Sequence, residues 1–227
     1  MALRVKRFYA LTDIAVILYV AGLIGTFYIT PLEVKQIGFT QKIFYFHVPM
    51  AITSGVAFAV TLVASIAYLL TKNLKWDSWA AAGAELGIIF GVSLLTMGIL
   101  WTRSTWGVWW TWDPRLTSYL IVMLLYGAYF VLRSSVDNEV QRANYAATIG
   151  VLGYITVIFT MISTRILRSV HPVVFSLKDP GVEPIMRDTF LIALGGTFAL
   201  FGAYLLVKVT IVNLQEEIEK LKERLVK

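Results

Sequence analysis

The sequence predicts an all-α protein that crosses a membrane with six transmembrane helices in a single domain. Hydrophobic residues make up 58% of the 227 residues, charged residues make up only 15%, and the mean hydropathy is +0.72. These values are too apolar for an ordinary soluble domain. A helix needs roughly 20 mostly apolar residues to cross about 30 Å of hydrocarbon, and six separate stretches have that character. We therefore expect most of the chain to be embedded in the lipid bilayer.

The first predicted span follows the basic residues Arg4, Lys6 and Arg7. Its apolar run has no obvious small-x-small cleavage site, so we expect an uncleaved helix and not a removed signal peptide. The fourth span is the shortest, and Pro114 sets where it begins, because proline suits the first turn of a helix. The six spans are predicted at residues 8–29, 44–70, 78–100, 117–132, 145–164 and 189–212, with a tryptophan-rich outer segment at 101–116.

Gly83, Gly87 and Gly91 recur every four residues in the third span. Residues four apart share one face of a helix, and small residues let membrane helices approach closely. We therefore interpret this stripe as a packing surface. The intramembrane carboxylates Asp13 and Glu85 fall near the predicted cytoplasmic side, which favours structural or snorkelling roles over a proton path.

An even number of spans places both chain ends on one side of the membrane. Lys and Arg are more frequent at the two ends and in connections 71–77 and 133–144 than in the other three connections, which predicts cytoplasmic N and C termini. Beyond residue 212, apolar residues at three-four spacing alternate with Glu, Lys and Arg, which predicts a short amphipathic cytoplasmic helix. That helix either lies on the membrane or its own bundle, or docks on a partner subunit.

Composition also excludes several kinds of site. The chain has no cysteine, which excludes disulfides, thiolate metal sites and covalent attachment of a cofactor through its own thiols. The net charge is +6, but the basic residues lie in short runs between apolar stretches, so we do not expect a nucleic-acid partner. The sequence shows no nucleotide-binding glycine loop, and we expect no catalytic turnover of its own.

Five of the seven tryptophans lie between residues 101 and 112. Tryptophan favours the membrane interface, but an aromatic belt does not require such clustering. If the segment is helical, Trp106, Trp109 and Trp110 share one face, and that stiff, flat surface suits a large planar aromatic ligand. Asp113 and Arg115 follow at once, and the Arg115 guanidinium could bind a carboxylate with two hydrogen bonds.

The only two histidines, His47 and His171, fall on the same side of the membrane as this segment if the spans alternate. His47 precedes Val48-Pro49, and His171 precedes Pro172, so each lies near a proline that disfavours continuous helix. A lone histidine at an interface is usually a polar cap, but two beside an aromatic platform favour the axial ligands of a haem. The haem propionates would then need nearby cations, for which the candidates are Lys42, Arg103, Arg115, Arg165 and Arg168.

The stretch from Trp106 to Ser118, WGVWWTWDPRLTS, resembles the tryptophan-rich "WWD" signature of the haem-handling proteins of cytochrome c maturation. With His47-Val48-Pro49, a histidine in the last outer loop and six spans, the chain resembles the CcmC family over nearly its whole length. The resemblance implies that haem b is bound transiently and non-covalently at the outer face of the bacterial cytoplasmic (inner) membrane. It assigns the axial positions to His47 and His171, and it implies that the signature residues Trp106, Trp109, Trp110, Trp112 and Asp113, with Arg115 beside them, contribute to the haem site.

The resemblance also implies partners. A CcmC protein presents haem to the membrane-anchored chaperone CcmE, which attaches it through a histidine of its own, and works with CcmD and the ABC-transporter pair CcmA and CcmB. The main alternative is a CcsA-like haem synthetase, although such proteins are normally larger and have more helices. A transporter or quinone site would need ionisable residues deep in the helices, and a di-haem respiratory cytochrome would need more than two histidines.

Overall fold

The structure is a computed structural model, and it describes residues 2–32, 38–171 and 183–226. Within those ranges no strand occurs, and all six helices are long and apolar enough to cross a membrane. The predicted all-α, six-span fold class is therefore confirmed. The helices are α1 (Ala2–Ile24), α2 (Gln41–Thr71), α3 (Leu74–Trp106), α4 (Pro114–Ser135), α5 (Glu139–Ile166) and α6 (Pro184–Val226). A π-helical turn (Gly25–Ile29) continues α1, and a 3-10 turn (Gly38–Thr40) precedes α2.

Helices α2 to α6 extend past the ends of the predicted apolar spans. Hydropathy locates the apolar centre of a helix, whereas polar caps decide where it begins. The side chains of Asn73, Asp113 and Asn138 accept hydrogen bonds from the first turns of α3, α4 and α5. The fourth span, predicted to be short, is consequently 22 residues long.

The segment after Val212 is helical, as predicted. No break separates it from the last span, because α6 runs without interruption from Pro184 to Val226. The Glu-, Lys- and Leu-rich segment has high helix propensity and prolongs α6. Ile211, Leu214 and Ile218 of the predicted apolar stripe are exposed, and the side chains of Leu221 and Leu225 lie outside the described residues.

Helices α2, α3, α4 and α5 surround the main core. Phe58 of α2 stacks on Tyr126 of α4 with ring centroids 3.9 Å apart, and both side chains are fully buried. Helix α6 packs on the other side of α2 and α3, where Phe201 joins a second cluster with Phe90. Helix α1 packs mainly against α6.

The glycine stripe of α3 is a packing surface, as predicted. A Cβ atom at Gly83 would lie 2.8 Å from the carbonyl oxygen of Ala57 and 2.9 Å from the backbone nitrogen of Thr61. The same atom at Gly91 would lie 2.6 Å from the sulfur of Met123 in α4. Glycine therefore lets α3 approach the backbone of α2 on one side and α4 on the other.

Two ion pairs join helices in the half of the bundle remote from the tryptophan-rich segment 101–116. The Arg133 guanidinium of α4 makes two hydrogen bonds of 2.6 and 2.9 Å to the Asp77 carboxylate of α3. The Lys208 ammonium of α6 lies 2.6 Å from Glu85 of α3. Pairing with Lys208 reduces the cost of placing the Glu85 carboxylate in the membrane.

The glycine contacts make a stability prediction. Gly83→Ala should lower the free energy of unfolding by about 1–3 kcal/mol, because the new methyl group meets backbone atoms that cannot rotate away. The matched control is Gly127→Ala in α4, where a Cβ atom meets no atom within 4 Å and helix propensity improves by up to about 1 kcal/mol. Thermal unfolding of the detergent-solubilised variants measures both changes. Equal midpoints for the two variants would contradict the packing role of Gly83.

Candidate functional site

His47 lies in the second turn of α2, near the entrance of that helix as the sequence predicts. The helix begins at Gln41 and continues through Pro49, so proline here removes one backbone hydrogen bond without ending the helix. The ring lies against α3, where a Cβ atom at Gly98 would be 3.3 Å from its Cε1. Its Nδ1 is buried and has no hydrogen-bond partner among the described residues.

His171 lies in the irregular segment that follows α5, five residues beyond the last helical residue, Ile166. The two imidazole centroids are 6.4 Å apart, and the ring planes are inclined by 31°. The predicted convergence of His47 and His171 is therefore confirmed. Pro172, expected to restrict the backbone here, lies outside the described residues.

Both histidines line one cavity at this end of the bundle. Its volume is about 250 Å³, and its walls come from α2, α3, α4, α5 and the tryptophan segment. Aliphatic and aromatic side chains form most of the wall, as is usual for a small-molecule site. The polar and aromatic side chains of the wall include His47, Trp106, Trp110, Arg115, Tyr119 and His171.

The tryptophan segment is not one helical face. Helix α3 ends at Trp106, and Gly107 follows with φ +77°, the left-handed conformation that ends many helices. The predicted helical platform was therefore wrong. Trp101, Trp106 and Trp110 line the cavity, whereas Trp109 is 59% exposed and Trp112 is 77% exposed. The segment thus presents three indoles to the cavity and two outward.

Hydrogen bonds hold the turn against α3. The buried Thr102 hydroxyl donates to the carbonyl oxygen of Trp109 at 3.0 Å. The Arg103 guanidinium donates to the carbonyl oxygen of Gly107 and lies 5.4 Å from the Trp109 ring centroid. These contacts fix the path of the backbone between Trp106 and Trp109.

Asp113 is buried at the N-terminus of α4 and does not line the cavity. Its Oδ1 accepts a hydrogen bond of 2.9 Å from the backbone N–H of Arg115. Its Oδ2 accepts hydrogen bonds from the Ser169 hydroxyl at 2.7 Å and the Val170 N–H at 2.9 Å. Burial acts to raise the pKa of Asp113, but these three hydrogen bonds outweigh burial and hold its pKa below the usual value.

Of the five candidate cations, Arg115 lines the cavity. Lys42 does not, because its ammonium is buried and donates to both the carbonyl and the hydroxyl oxygen of Thr30, each at 2.8 Å. Arg103 is held by Gly107 and Trp109, as described above. Arg165 and Arg168 are exposed and lie outside the cavity wall.

Comparison with known proteins gives one family. Residues 1–224 match the model of the CcmC family, described as heme exporter protein C. The chain is 32% identical to heme exporter protein C of Paracoccus denitrificans over 195 residues, which is 83% of this chain and 79% of that protein. It is similarly 29% identical to the Rhodobacter capsulatus protein over 82% of this chain and 78% of that one, and 28% identical to the Escherichia coli protein over 85% and 75%.

The hydrogen bonds of Asp113 make a pH prediction. Asp113→Asn should lower the free energy of unfolding at pH 7 by about 1–2 kcal/mol, because hydrogen bonds to a charged acceptor are lost. The folded pKa lies below the ordinary value of about 3.9. As pH falls, the unfolded chain therefore takes up the proton first, and the stabilisation disappears as pH falls through the folded pKa.

Thermal unfolding midpoints of parent and Asp113→Asn in detergent should therefore differ most above pH about 4 and converge below it. A gap that stays constant down to pH about 3 would show that the Asp113 charge does not stabilise the fold.

Proposed function

The chain belongs to the CcmC family, heme exporter protein C, and from that membership we propose that it is a haem-handling membrane protein of cytochrome c maturation. It binds haem between His47 and His171 and delivers it to the chaperone CcmE. The spacing of the two imidazoles carries this proposal. Two imidazoles on opposite sides of one metal, with bonds of about 2 Å, have ring centroids roughly 6 Å apart, and the observed separation is 6.4 Å.

The buried, unpaired nitrogen of His47 also supports binding of haem. A buried nitrogen without a hydrogen-bond partner costs about 1–3 kcal/mol, and Nδ1 of His47 is such an atom. A metal bound at the His47 ring would give this unsatisfied histidine a partner. The cavity wall fits a haem as well, since Trp106 and Trp110 supply flat apolar surface and Arg115 supplies a cation for a propionate.

The proposed binding is transient and non-covalent. The chain has no cysteine, so it forms no thioether bond to a haem vinyl group through its own thiols. Trp109 and Trp112 are exposed at the same end of the molecule, and we assign to them the outer edge of the site, where a haem would be covered before transfer. The role is one of binding and presentation, without catalytic turnover.

The proposed setting is a single-domain protein of the bacterial cytoplasmic membrane. Cytoplasmic N and C termini follow from the distribution of Lys and Arg, and the alternation of the six helices then puts both histidines on the outer face. The proposed partners are haem, CcmE, CcmD, the ABC-transporter pair CcmA and CcmB, and the lipid bilayer.

Visible spectroscopy tests the haem site. The detergent-purified parent, produced with excess haem and CcmE, should show a low-spin haem spectrum that His47→Ala and His171→Ala convert to high spin or abolish.

Trp110→Ala should weaken haem binding about threefold to tenfold, because an aromatic stacking contact is worth about 0.5–1.5 kcal/mol. The matched control is Trp79→Ala, whose side chain lies about 40 Å along α3 from Trp106 and should leave the spectrum unchanged. If both histidine variants keep the parent spectrum, the ligand assignment is wrong.

Covalent loading of CcmE tests delivery. In cells that produce this chain with CcmA, CcmB, CcmD and CcmE, haem-stained denaturing gels should show haem on CcmE, and His47→Ala and His171→Ala should remove that signal. A CcmE variant without its haem-binding histidine is the control for non-specific haem. Haem appearing on an apocytochrome without any CcmE would instead favour the synthetase alternative.

A further inference from the structure

We propose that Asp113 is a positioning residue for His171. Its carboxylate fixes the segment that carries His171 against the N-terminus of α4 and so sets the separation of the two imidazoles. The inference deepens the proposed function and rests on it where it treats His171 as a haem ligand.

A continuous set of hydrogen bonds connects Asp113 to the backbone of His171. Oδ2 of Asp113 accepts from the Ser169 hydroxyl at 2.7 Å and from the Val170 N–H at 2.9 Å. The Ser169 oxygen in turn accepts from the N–H of His171 at 3.0 Å. One carboxylate oxygen therefore holds the two residues before His171, and one of those holds His171 itself.

The segment needs support from outside. Helix α5 ends at Ile166, and the N–H of Leu167 makes the last bond back to the helix, to the carbonyl oxygen of Ser163. Residues 168–171 have irregular backbone, so helical hydrogen bonds do not determine where the imidazole lies. His47, in contrast, is held within a continuous helix.

Asp113 acts through His171 and not on the ligand. Its side chain is buried and is not part of the cavity wall, and both carboxylate oxygens already accept protein hydrogen bonds. Axial ligation tolerates changes of only about 0.2 Å in the metal–ligand distance. A loosened segment would therefore lose the His171 bond before it lost the rest of the haem contacts.

Substitutions at Asp113, Ser169 and Asn138 can separate the helix-capping role of Asp113 from its positioning role. Asparagine caps helices about as well as aspartate, so Asp113→Asn keeps an acceptor for the N–H of Arg115. Its amide group, however, presents a donor where Oδ2 faced two donors. Ser169→Ala removes the connection from the other side, whereas Ser169→Thr keeps a hydroxyl. Asn138→Ala removes the side-chain cap of α5 and is the control for loss of a cap alone.

The first measurement is the spectrum of each haem-loaded variant in detergent. Asp113→Asn and Ser169→Ala should convert most of the bound haem from low spin to high spin, and millimolar imidazole should restore low spin by replacing the missing ligand. Ser169→Thr and Asn138→Ala should behave as the parent. A role of Asp113 limited to capping would leave the Asp113→Asn spectrum unchanged and would overturn the proposal, while loss of the spectrum in His171→Ala would leave the proposed function intact.

The second measurement needs no haem. Arg168 is exposed and directly precedes the held residues, so mass spectrometry can follow tryptic cleavage of the Arg168–Ser169 bond in the purified apoprotein. Asp113→Asn and Ser169→Ala should be cleaved several times faster there than the parent, Ser169→Thr or Asn138→Ala. Equal cleavage rates would overturn the proposal, whether or not the parent binds haem.

Discussion

The close contact of α2 with α3 is the constraint on which the core and the site both depend. Gly83 lets the backbone of α3 meet that of α2 at Ala57 and Thr61, and fifteen residues further along α3, Gly98 packs on the ring of His47. A Cβ atom at Gly83 would meet the backbone of α2, and a Cβ atom at Gly98 would press on the His47 ring at 3.3 Å from its Cε1. The contact between α2 and α3 thus contributes both to the stability of the bundle and to the position of the His47 imidazole.

Much of the fold could be predicted because the bilayer admits few alternatives. Backbone polar groups must be satisfied within each span, so six apolar stretches imply six helices. Their ends could not be predicted as well, since Asn73 and Asn138 extend α3 and α5 through local hydrogen bonds that hydropathy does not measure. The helix beyond Val212 was predicted as well, and the structure adds that it continues the last span without a break. A change from apolar to amphipathic composition does not interrupt the backbone hydrogen bonds of a helix.

The site could be predicted in part. Alternation of the spans was enough to bring His47 and His171 to one end of the bundle, but the division into inward-facing and outward-facing tryptophans depends on the left-handed backbone at Gly107. The role proposed for Asp113 depends on Ser169, 56 residues away in sequence, and no local pattern signals that contact. Lys42 was expected among the ligand cations, yet it satisfies the end of the π-helical turn at Thr30.

The two histidines are supported in different ways, and this difference bears on how haem would be held and released. His47 belongs to a helix packed on both sides, so moving it requires a change in the bundle. His171 belongs to an irregular segment whose connection to α4 is a few hydrogen bonds to one carboxylate, each worth about 1.5–3 kcal/mol at most. If haem is bound between them, release that moves His171 would involve these hydrogen bonds, whereas release that moves His47 would involve helix packing. A carrier needs such an asymmetry, since it must hold its cargo firmly enough to shield it and still surrender it to a partner.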